Sequence, residues 1–300
     1  MSKIKTATLH KYDYVLKDIN SEEFELKGGV YNKTTYDEDG RTLIEIKYEE
    51  NGGVEQHYEY EYNDEGVRTA DRSFDENGDL IDDMEYSIDH NGKTLFGYKK
   101  YLDGSKDTIT YRYDEEGNLI ERELKSDDDE IEFVEKYAYQ DSKEILHESW
   151  NEDDELVYRK ETAYNEKGLV KEEKTWMQET DRTASVMNSY DDKGELISVA
   201  SYSENDDMLF RVDYERDAEG KIISVKEESP EGIVSTSIEY DSKGNAIRQE
   251  EKNEDGEINS RIERKYDEDG NVIESEAIID RHGVGMNQHY ILKYKYEFYE

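Results

Sequence analysis

The residues of this chain that could do chemistry are above all carboxylates. Among 300 residues there are 79 aspartates and glutamates against 39 lysines and arginines, which gives a formal charge of −40. Short acidic runs such as residues 75–79 and 267–271 resemble calcium-binding loops, but Ca²⁺ needs about six to eight oxygens around one centre. The same runs are equally typical of hairpin turns. We therefore predict no specific metal site, and weak calcium binding at the acidic turns stays open.

Other reactive groups are sparse. The chain has no cysteine, which excludes disulfides, thiolate catalysis and zinc–thiolate sites. None of the six histidines stands at a recognised spacing from a nucleophile. Because carboxylates occur everywhere, no particular pair is singled out as a general acid and base. We predict a protein that is not an enzyme, with no catalytic residues and no cofactor.

A five-residue pattern, Tyr-Asp-x-x-Gly in its commonest form, recurs ten times at steps of 24 to 26 residues. The second position is Asp or Asn in nine copies, and such side chains hydrogen-bond to the backbone of a turn. The fifth position is Gly in nine copies, as expected where a hairpin needs a positive φ. Lys143 takes its place in the remaining copy, where we expect a different loop. The turn glycines are Gly40, Gly66, Gly92, Gly117, Gly168, Gly194, Gly220, Gly244 and Gly270.

The segments between these turns alternate in polarity as half-buried strands do. Tyr58, Tyr60 and Tyr62, for example, share one face. A second series of acidic turns falls midway, so the sequence predicts all-β structure with about twenty antiparallel strands. Open twisted sheets rarely exceed about ten strands without curling. We therefore expect one long twisted sheet, coiled into a spiral or partly closed shell with the tyrosines inward; a single-layer β-solenoid is the alternative.

No linker or shift in composition divides the chain, so we predict a single repeat domain over residues 1–300. Within it, residues 1–30 are expected to form an N-terminal cap that includes an end strand with Tyr12, Tyr14 and Leu16. Residues 31–280 are the hairpin repeats, and residues 281–300 are a terminal strand or cap.

Two stretches carry a family resemblance. Residues 111–119 read Tyr-Arg-Tyr-Asp-Glu-Glu-Gly-Asn-Leu, and residues 60–66 read Tyr-Glu-Tyr-Asn-Asp-Glu-Gly. Both resemble the YD repeat of the Rhs family, and the resemblance covers about residues 31–280. It implies β-hairpins wound into a spiral or shell, which in large members encloses a toxin or acts at cell surfaces and in carbohydrate binding. The Asp-Pro-x-Gly end of large Rhs cores has no counterpart, because the chain contains no Asp-Pro; we predict a short stand-alone member.

Charge points to the class of partner. Binding to a phosphate backbone needs a basic face, and the lysines and arginines of this chain are diluted among carboxylates, so nucleic acid is disfavoured as a partner. No apolar run approaches the length of a membrane span. We predict a cytoplasmic protein that captures a basic protein, with an immunity or chaperone role toward a secreted toxin as the sharpest version. Self-association through the end strands is a further prediction.

Two other functions stay open. Trp150, Trp176 and Tyr202 precede turns of the second series and would give a carbohydrate- or surface-binding module a stacking strip, although core packing is the preferred explanation of such aromatic rows. A purely structural spacer or shell protein is the third reading.

Overall fold

A computed structural model of the chain describes residues 3–18, 23–282 and 287–300. Consecutive strands pair antiparallel throughout, and a one-residue register shift beside most turns increases the local twist. The strands are β1 (Ile4–Leu16), β2 (Phe24–Tyr36), β3 (Thr42–Tyr48), β4 (Val54–Tyr62), β5 (Arg68–Phe74), β6 (Leu80–Ile88), β7 (Thr94–Lys100), β8 (Lys106–Tyr113), β9 (Leu119–Lys125), β10 (Ile131–Gln140), β11 (Lys143–Asn151), β12 (Leu156–Tyr164), β13 (Val170–Met177), β14 (Arg182–Tyr190), β15 (Leu196–Ser203), β16 (Met208–Arg216), β17 (Ile222–Ser229), β18 (Gly232–Tyr240), β19 (Ala246–Asn253), β20 (Ile258–Tyr266), β21 (Val272–Ile279) and β22 (Gln288–Phe298).

The sheet closes on itself. β1 pairs antiparallel with β22 from Ile4 opposite Phe298 to Asp13 opposite Tyr290, so the 22 strands form one closed antiparallel barrel. The all-β antiparallel prediction is confirmed, but the predicted spiral or partly closed shell is wrong, and so is the alternative solenoid. Closure satisfies the backbone groups that two end strands would otherwise expose, and an open spiral leaves those groups unpaired.

The barrel wall is a single layer without a packed core. Each strand approaches only its two neighbours in the ring, and no other pair of described strands comes within 8 Å between Cα atoms. The described residues expose 19,586 Å², whereas a compact protein of 35.3 kDa exposes about 13,000 Å². A round barrel of 22 strands, spaced about 4.8 Å apart and tilted about 40°, is about 44 Å across. The excess surface is therefore the inner side of the wall.

Hydrogen bonding shows in which direction the strands follow each other. The Glu49 N–H donates to the Gly53 carbonyl, and because bonding alternates along a strand, Glu45 and Lys47 of β3 also bond to β4. In an upward-running strand of L-residues, a side chain that points at the viewer belongs to a residue whose N–H and C=O point to the right. An observer who faces the Glu45 side chain therefore sees β4 to the right of β3.

The register then shows which face is inside. His57, the fourth residue of β4, lies opposite Phe74 at the end of β5, whereas Tyr62 at the other end of β4 lies opposite Arg68, the first residue of β5. β4 therefore extends three residues beyond β5 at the end where β4 begins and none at its other end. When the rim of the barrel is drawn horizontally, this offset makes the strands lean to the left as seen from the Glu45 side. Right-handed strand twist makes barrel strands lean to the right when seen from outside. The face that carries Glu45 is thus the inner face.

The two faces differ in chemistry. The inner face carries most of the tyrosines that precede the repeat turns, among them Tyr62. The outer face is a lattice of ion pairs, in which the Glu250 carboxylate lies 2.7, 3.0 and 3.1 Å from the side-chain nitrogens of Arg248, Lys252 and Arg261. The residues that the structure describes include no helix long and apolar enough to cross a membrane.

Candidate binding surfaces

The negative charge of the chain is concentrated at the two ends of the barrel. The 22 strands together carry a net charge of −1. The connections that lead from odd- to even-numbered strands carry −25, and we call them the acidic end. The opposite connections and the two chain termini, which we call the terminal end, carry −14. Among the residues that the structure describes, the acidic end comprises 17–18, 23, 49–53, 75–79, 101–105, 126–130, 152–155, 178–181, 204–207, 230–231, 254–257, 280–282 and 287.

Within the turns, the first carboxylate is used by the turn itself. Asp75 Oδ1 accepts hydrogen bonds from the backbone N–H groups of Asn77 and Asp79, both at 2.8 Å. The bond from Asp79, followed by that from Asn77, holds the pKa of Asp75 below its usual value. Asp267 is engaged in the same way and also accepts from the Asn271 side chain, which lowers its pKa. The calcium-like runs are therefore built as turn caps, and the described residues contain no group of three or more potential ligands placed to hold a metal ion.

The repeat turns at the terminal end lie side by side. All nine turn glycines singled out from the sequence have φ between 74° and 93°. At Gly66 an added Cβ would also overlap the Arg41 guanidinium, which comes from the preceding turn of the row. The turn before Lys143 differs from the others: it consists of Asp141 and Ser142, which both have positive φ as a two-residue type I′ hairpin requires.

Tyrosine hydroxyls connect neighbouring strands next to these turns. Tyr164 at the end of β12 donates to the Glu144 carbonyl on β11 at 2.8 Å. Where the repeat has Arg216 instead of tyrosine, its guanidinium donates to the equivalent carbonyl, that of Leu196. The bond links the first strand of each hairpin to the last residue of its second strand. It recurs at Tyr62, Tyr113, Tyr190, Tyr240, Tyr266 and Tyr296, at 2.7 to 3.0 Å.

The predicted stacking strip lies on the outer face. Trp150, Trp176 and Tyr202 stand two strands apart on β11, β13 and β15, each near the acidic end and each half-buried. The ammonium of Lys136 lies 5.1 Å from the centre of the Trp150 ring. The structure thus places the three side chains in one row, but part of the Trp150 ring is already covered.

The β1–β2 hairpin is a surface that the sequence did not single out. Both strands have 13 residues, against 7 to 11 in the other strands, and their outer sides are apolar. Leu16 lies opposite Phe24, and Tyr14 lies opposite Leu26. The exposed fractions are 60% for Phe24, 47% for Leu16 and 44% for Leu26. In the sequence, the sign of this surface is the alternation of apolar and polar residues across 12–16 and 24–26. An ordinary end strand explains that alternation equally well.

One edge of β2 has no neighbouring strand. β3 pairs with β2 only from Asn32 to Tyr36, so residues 24–30 pair with β1 alone. Lys17 N–H donates to the Glu23 carbonyl, which fixes the alternation: residues 23, 25, 27 and 29 bond to β1. The N–H and C=O groups of Phe24, Leu26, Gly28 and Val30 consequently point away from β1. They form an open hydrogen-bonding edge at the acidic end.

Comparison with known proteins gives only distant structural matches. No protein-family model matches the chain, and no curated protein does. The crystal structure of TcdB2-TccC3 without its hypervariable C-terminal region matches over 82% of this chain and 17% of that chain, at 12% identity and a TM-score of 0.32. A porin-like protein from Bacteroides uniformis matches over 99% of both chains at 7% identity and a TM-score of 0.34, and one from Bacteroides vulgatus over 99% of both at 10% and 0.21.

The chain spans about a fifth of the length of the TcdB2-TccC3 chains that it matches. Likenesses at these TM-scores carry no argument about activity or partners.

Proposed function

We propose that this protein is a non-catalytic binding protein that captures a basic protein at its acidic end. The observation that carries the proposal is the distribution of charge: −25 at one end of a wall whose strands sum to −1. If the charge served only solubility, there would be no reason to balance the wall and concentrate the excess on the connections. A ring of carboxylates focuses the field at that end and accelerates the encounter with a positively charged partner.

A more specific form of this proposal is an immunity or chaperone role toward a secreted toxin. Its support is the resemblance of residues 31–280 to YD repeats, a family associated with toxins. Under this proposal the protein works in the cytoplasm and binds neither nucleic acid nor a membrane. A charged outer wall and acidic ends support both exclusions, because they repel phosphate and are costly to place in lipid.

The test is affinity capture from the source organism's lysate and secreted fraction with three baits. The first bait is the unaltered chain. The second has the carboxylates of residues 127–130 and 152–155 at the acidic end changed to amides, which removes eight charges. The third is matched to it, with eight carboxylates amidated at the terminal end, from residues 37–39, 114–116 and 267–268.

We expect one basic protein, identified by mass spectrometry, to be retained by the first and third baits and lost by the second. Retention should weaken at about 0.5 M salt, where the Debye length falls to about 4 Å. Equal losses from the second and third baits would show that only total charge matters, and retention that is unchanged by salt would contradict the electrostatic basis.

A second candidate is a carbohydrate- or surface-binding module. It is favoured by the row of Trp150, Trp176 and Tyr202 on the outer face, because aromatic rings in a row suit stacking against sugar rings. A glycan array gives the test: a hit that disappears in Trp176→Ala supports this function, and an array without any hit removes it.

A further inference from the structure

The open edge of β2 suggests how the partner is held, an inference that rests on the proposed function. Strand edges are templates for pairing, and proteins normally cover them, charge them or close them into barrels. Elsewhere in the described wall the stretches that pair on one side only are shorter, two to five residues long, such as 54–56 of β4 and 294–298 of β22. From Phe24 to Val30 the backbone groups of alternate residues point into open space instead.

The outer side of this edge is apolar. Phe24, Leu26 and Val30 alternate along it and are 60%, 44% and 38% exposed. The Tyr14 ring, opposite Leu26, stacks on the ring of His289 at 3.8 Å and thereby fixes one flank of the apolar surface. An additional strand beside β2 would extend this surface with the alternate side chains of its own outer face.

The inner side of the edge is acidic. A cavity of about 600 Å³ lies along it, lined among others by Lys27, Tyr48, Glu49, Glu50 and Glu55. The charged side chains that line it are four carboxylates and two lysines; Asp13 pairs with Lys11 and Glu55 with Lys47, so the negative charge that an added strand meets is that of Glu49 and Glu50. Inner-facing side chains of an added strand would enter this cavity, where positive charge is favoured.

Two occupants are conceivable by geometry, and charge decides between them. A second copy of this chain would bring two acidic ends of −25 each against one another. A basic segment meets the opposite sign both in the cavity and across the acidic end. The barrel's own end strands, β1 and β22, are already paired with each other, so they offer no competing edge.

We infer that residues 24–30 of β2 bind an extended segment of the basic partner as an added antiparallel strand. In that segment apolar residues alternate with lysine or arginine. The apolar residues lie beside Phe24, Leu26 and Val30 and exchange backbone hydrogen bonds with β2, and the basic residues enter the cavity.

The probe is a capped, fluorescently labelled heptapeptide, Val-Lys-Val-Arg-Val-Lys-Val, titrated with the full chain and followed by anisotropy. We expect saturable binding in about 0.15 M salt. N-methylation of the third, fifth and seventh residues of the peptide, all valines, removes backbone N–H donors to β2 and should weaken binding by about tenfold or more. N-methylation of the lysines and the arginine keeps the charge and alters only the far edge, so the affinity should change by less than about threefold.

Protein variants separate strand addition from plain attraction. Leu26→Glu places a negative charge at the centre of the apolar outer side and should weaken the peptide about fivefold, because a buried cross-strand contact is lost. Ile81→Glu is the matched control: it adds the same charge to a residue that is 58% exposed at the acidic end of β6, away from the edge of β2. Its affinity for the peptide should stay equal or rise slightly.

The possible outcomes point in different directions. If both N-methyl series bind alike, or if Leu26→Glu binds as tightly as Ile81→Glu, attraction without strand addition explains the binding and the inference is overturned. A dimer in analytical ultracentrifugation that Leu26→Glu dissociates would instead assign the edge to a second copy. If the peptide fails while the charge-dependent capture described above succeeds, the proposed function stands and only the strand-addition mode falls.

Discussion

The repeat wall and the β1–β2 hairpin follow opposite rules within one sheet. In the wall from β3 to β21 the stretches that pair on one side only are two to four residues long, and the outer face carries ion pairs such as Arg72 with Asp83 and Arg261 with Glu250. In the hairpin seven residues of β2 lack a neighbour on one side, and the outer face is apolar. The wall therefore has the features that prevent association, and the hairpin lacks them.

The regular repeat pattern is broken at the β1–β2 hairpin, where both strands are longer than the others. Closing the sheet pairs the two end strands with each other, but the extra length of β1 and β2 leaves seven residues of β2 without a neighbour on one side. These residues lie at the more acidic end.

The hairpin depends on one glycine. Gly28 has φ of +152°, and an added Cβ would overlap the backbone carbonyl of Lys11 on β1, whereas nothing lies within 4 Å of the corresponding position at Gly29. We expect Gly28→Ala to lower the free energy of unfolding by about 2 kcal/mol or more, and Gly29→Ala to change it by less than about 0.5 kcal/mol. Urea unfolding followed by circular dichroism measures both. Equal effects of the two variants would show that the β1–β2 contact is not the constraint.

Salt should stabilise the barrel. The wall is neutral overall, so screening acts mainly on repulsion within the two ends, which carry −25 and −14. Between about 0.02 and 0.5 M sodium chloride we expect the free energy of unfolding to rise by on the order of 1 kcal/mol. The rise should shrink in the variant with eight amidated residues at the acidic end. A fall with salt would mean that the outer ion pairs outweigh the repulsion.

The tyrosine hydroxyl bonds should each contribute modestly. Tyr164→Phe removes the donor to the Glu144 carbonyl and should cost about 1 kcal/mol of unfolding free energy. Tyr214 lies on the same inner face but makes no such carbonyl bond in the described structure, so Tyr214→Phe is the control, with an expected loss below about 0.5 kcal/mol. Thermal and urea unfolding of the pair give the difference. Indistinguishable variants would show that the hydroxyl bond does not contribute to stability.

Glu250 gives the smallest effect and a pH signature. Hydrogen bonds from Arg248, then Lys252 and Arg261, lower its pKa to about 2. A carboxylate with a lowered folded pKa stabilises the fold above its unfolded pKa, near 4.5, and that contribution is lost as the pH falls through about 2. Because its partners are about a third exposed or more, we expect Glu250→Gln to cost under about 1 kcal/mol at pH 7. The cost should vanish near pH 2; a difference that persists there would contradict the assignment.

Local features of the wall could be predicted from the sequence, because they repeat. The Asp and Gly positions of the turns and the period-two tyrosines such as Tyr60 and Tyr62 gave the antiparallel strands and their turns. Closure could not be predicted in this way. It rests on contacts such as Tyr12 with Ile291, between residues at opposite ends of the chain, and no local pattern encodes such a pairing.

The candidate site was harder to predict for a similar reason. The acidic turns were visible in the sequence, but their concentration at one end appears only when the connections are sorted by the direction of the strands. The open edge of β2 exists because β3 ends at Tyr48, which is a property of the neighbouring strand rather than of residues 24–30 themselves.

Amide hydrogen exchange by NMR, in the free protein and in its complex with the captured basic protein, shows whether residues 24–30 of β2 pair with an added strand. In the free chain Glu25, Lys27 and Gly29 should already be protected by β1, and Leu26, Gly28 and Val30 should exchange freely. If β2 accepts an added strand, binding slows exchange at Leu26, Gly28 and Val30 by about tenfold or more, since each gains a backbone acceptor. New protection confined to the terminal end or to the outer wall, with these three amides unchanged, would contradict strand addition at β2.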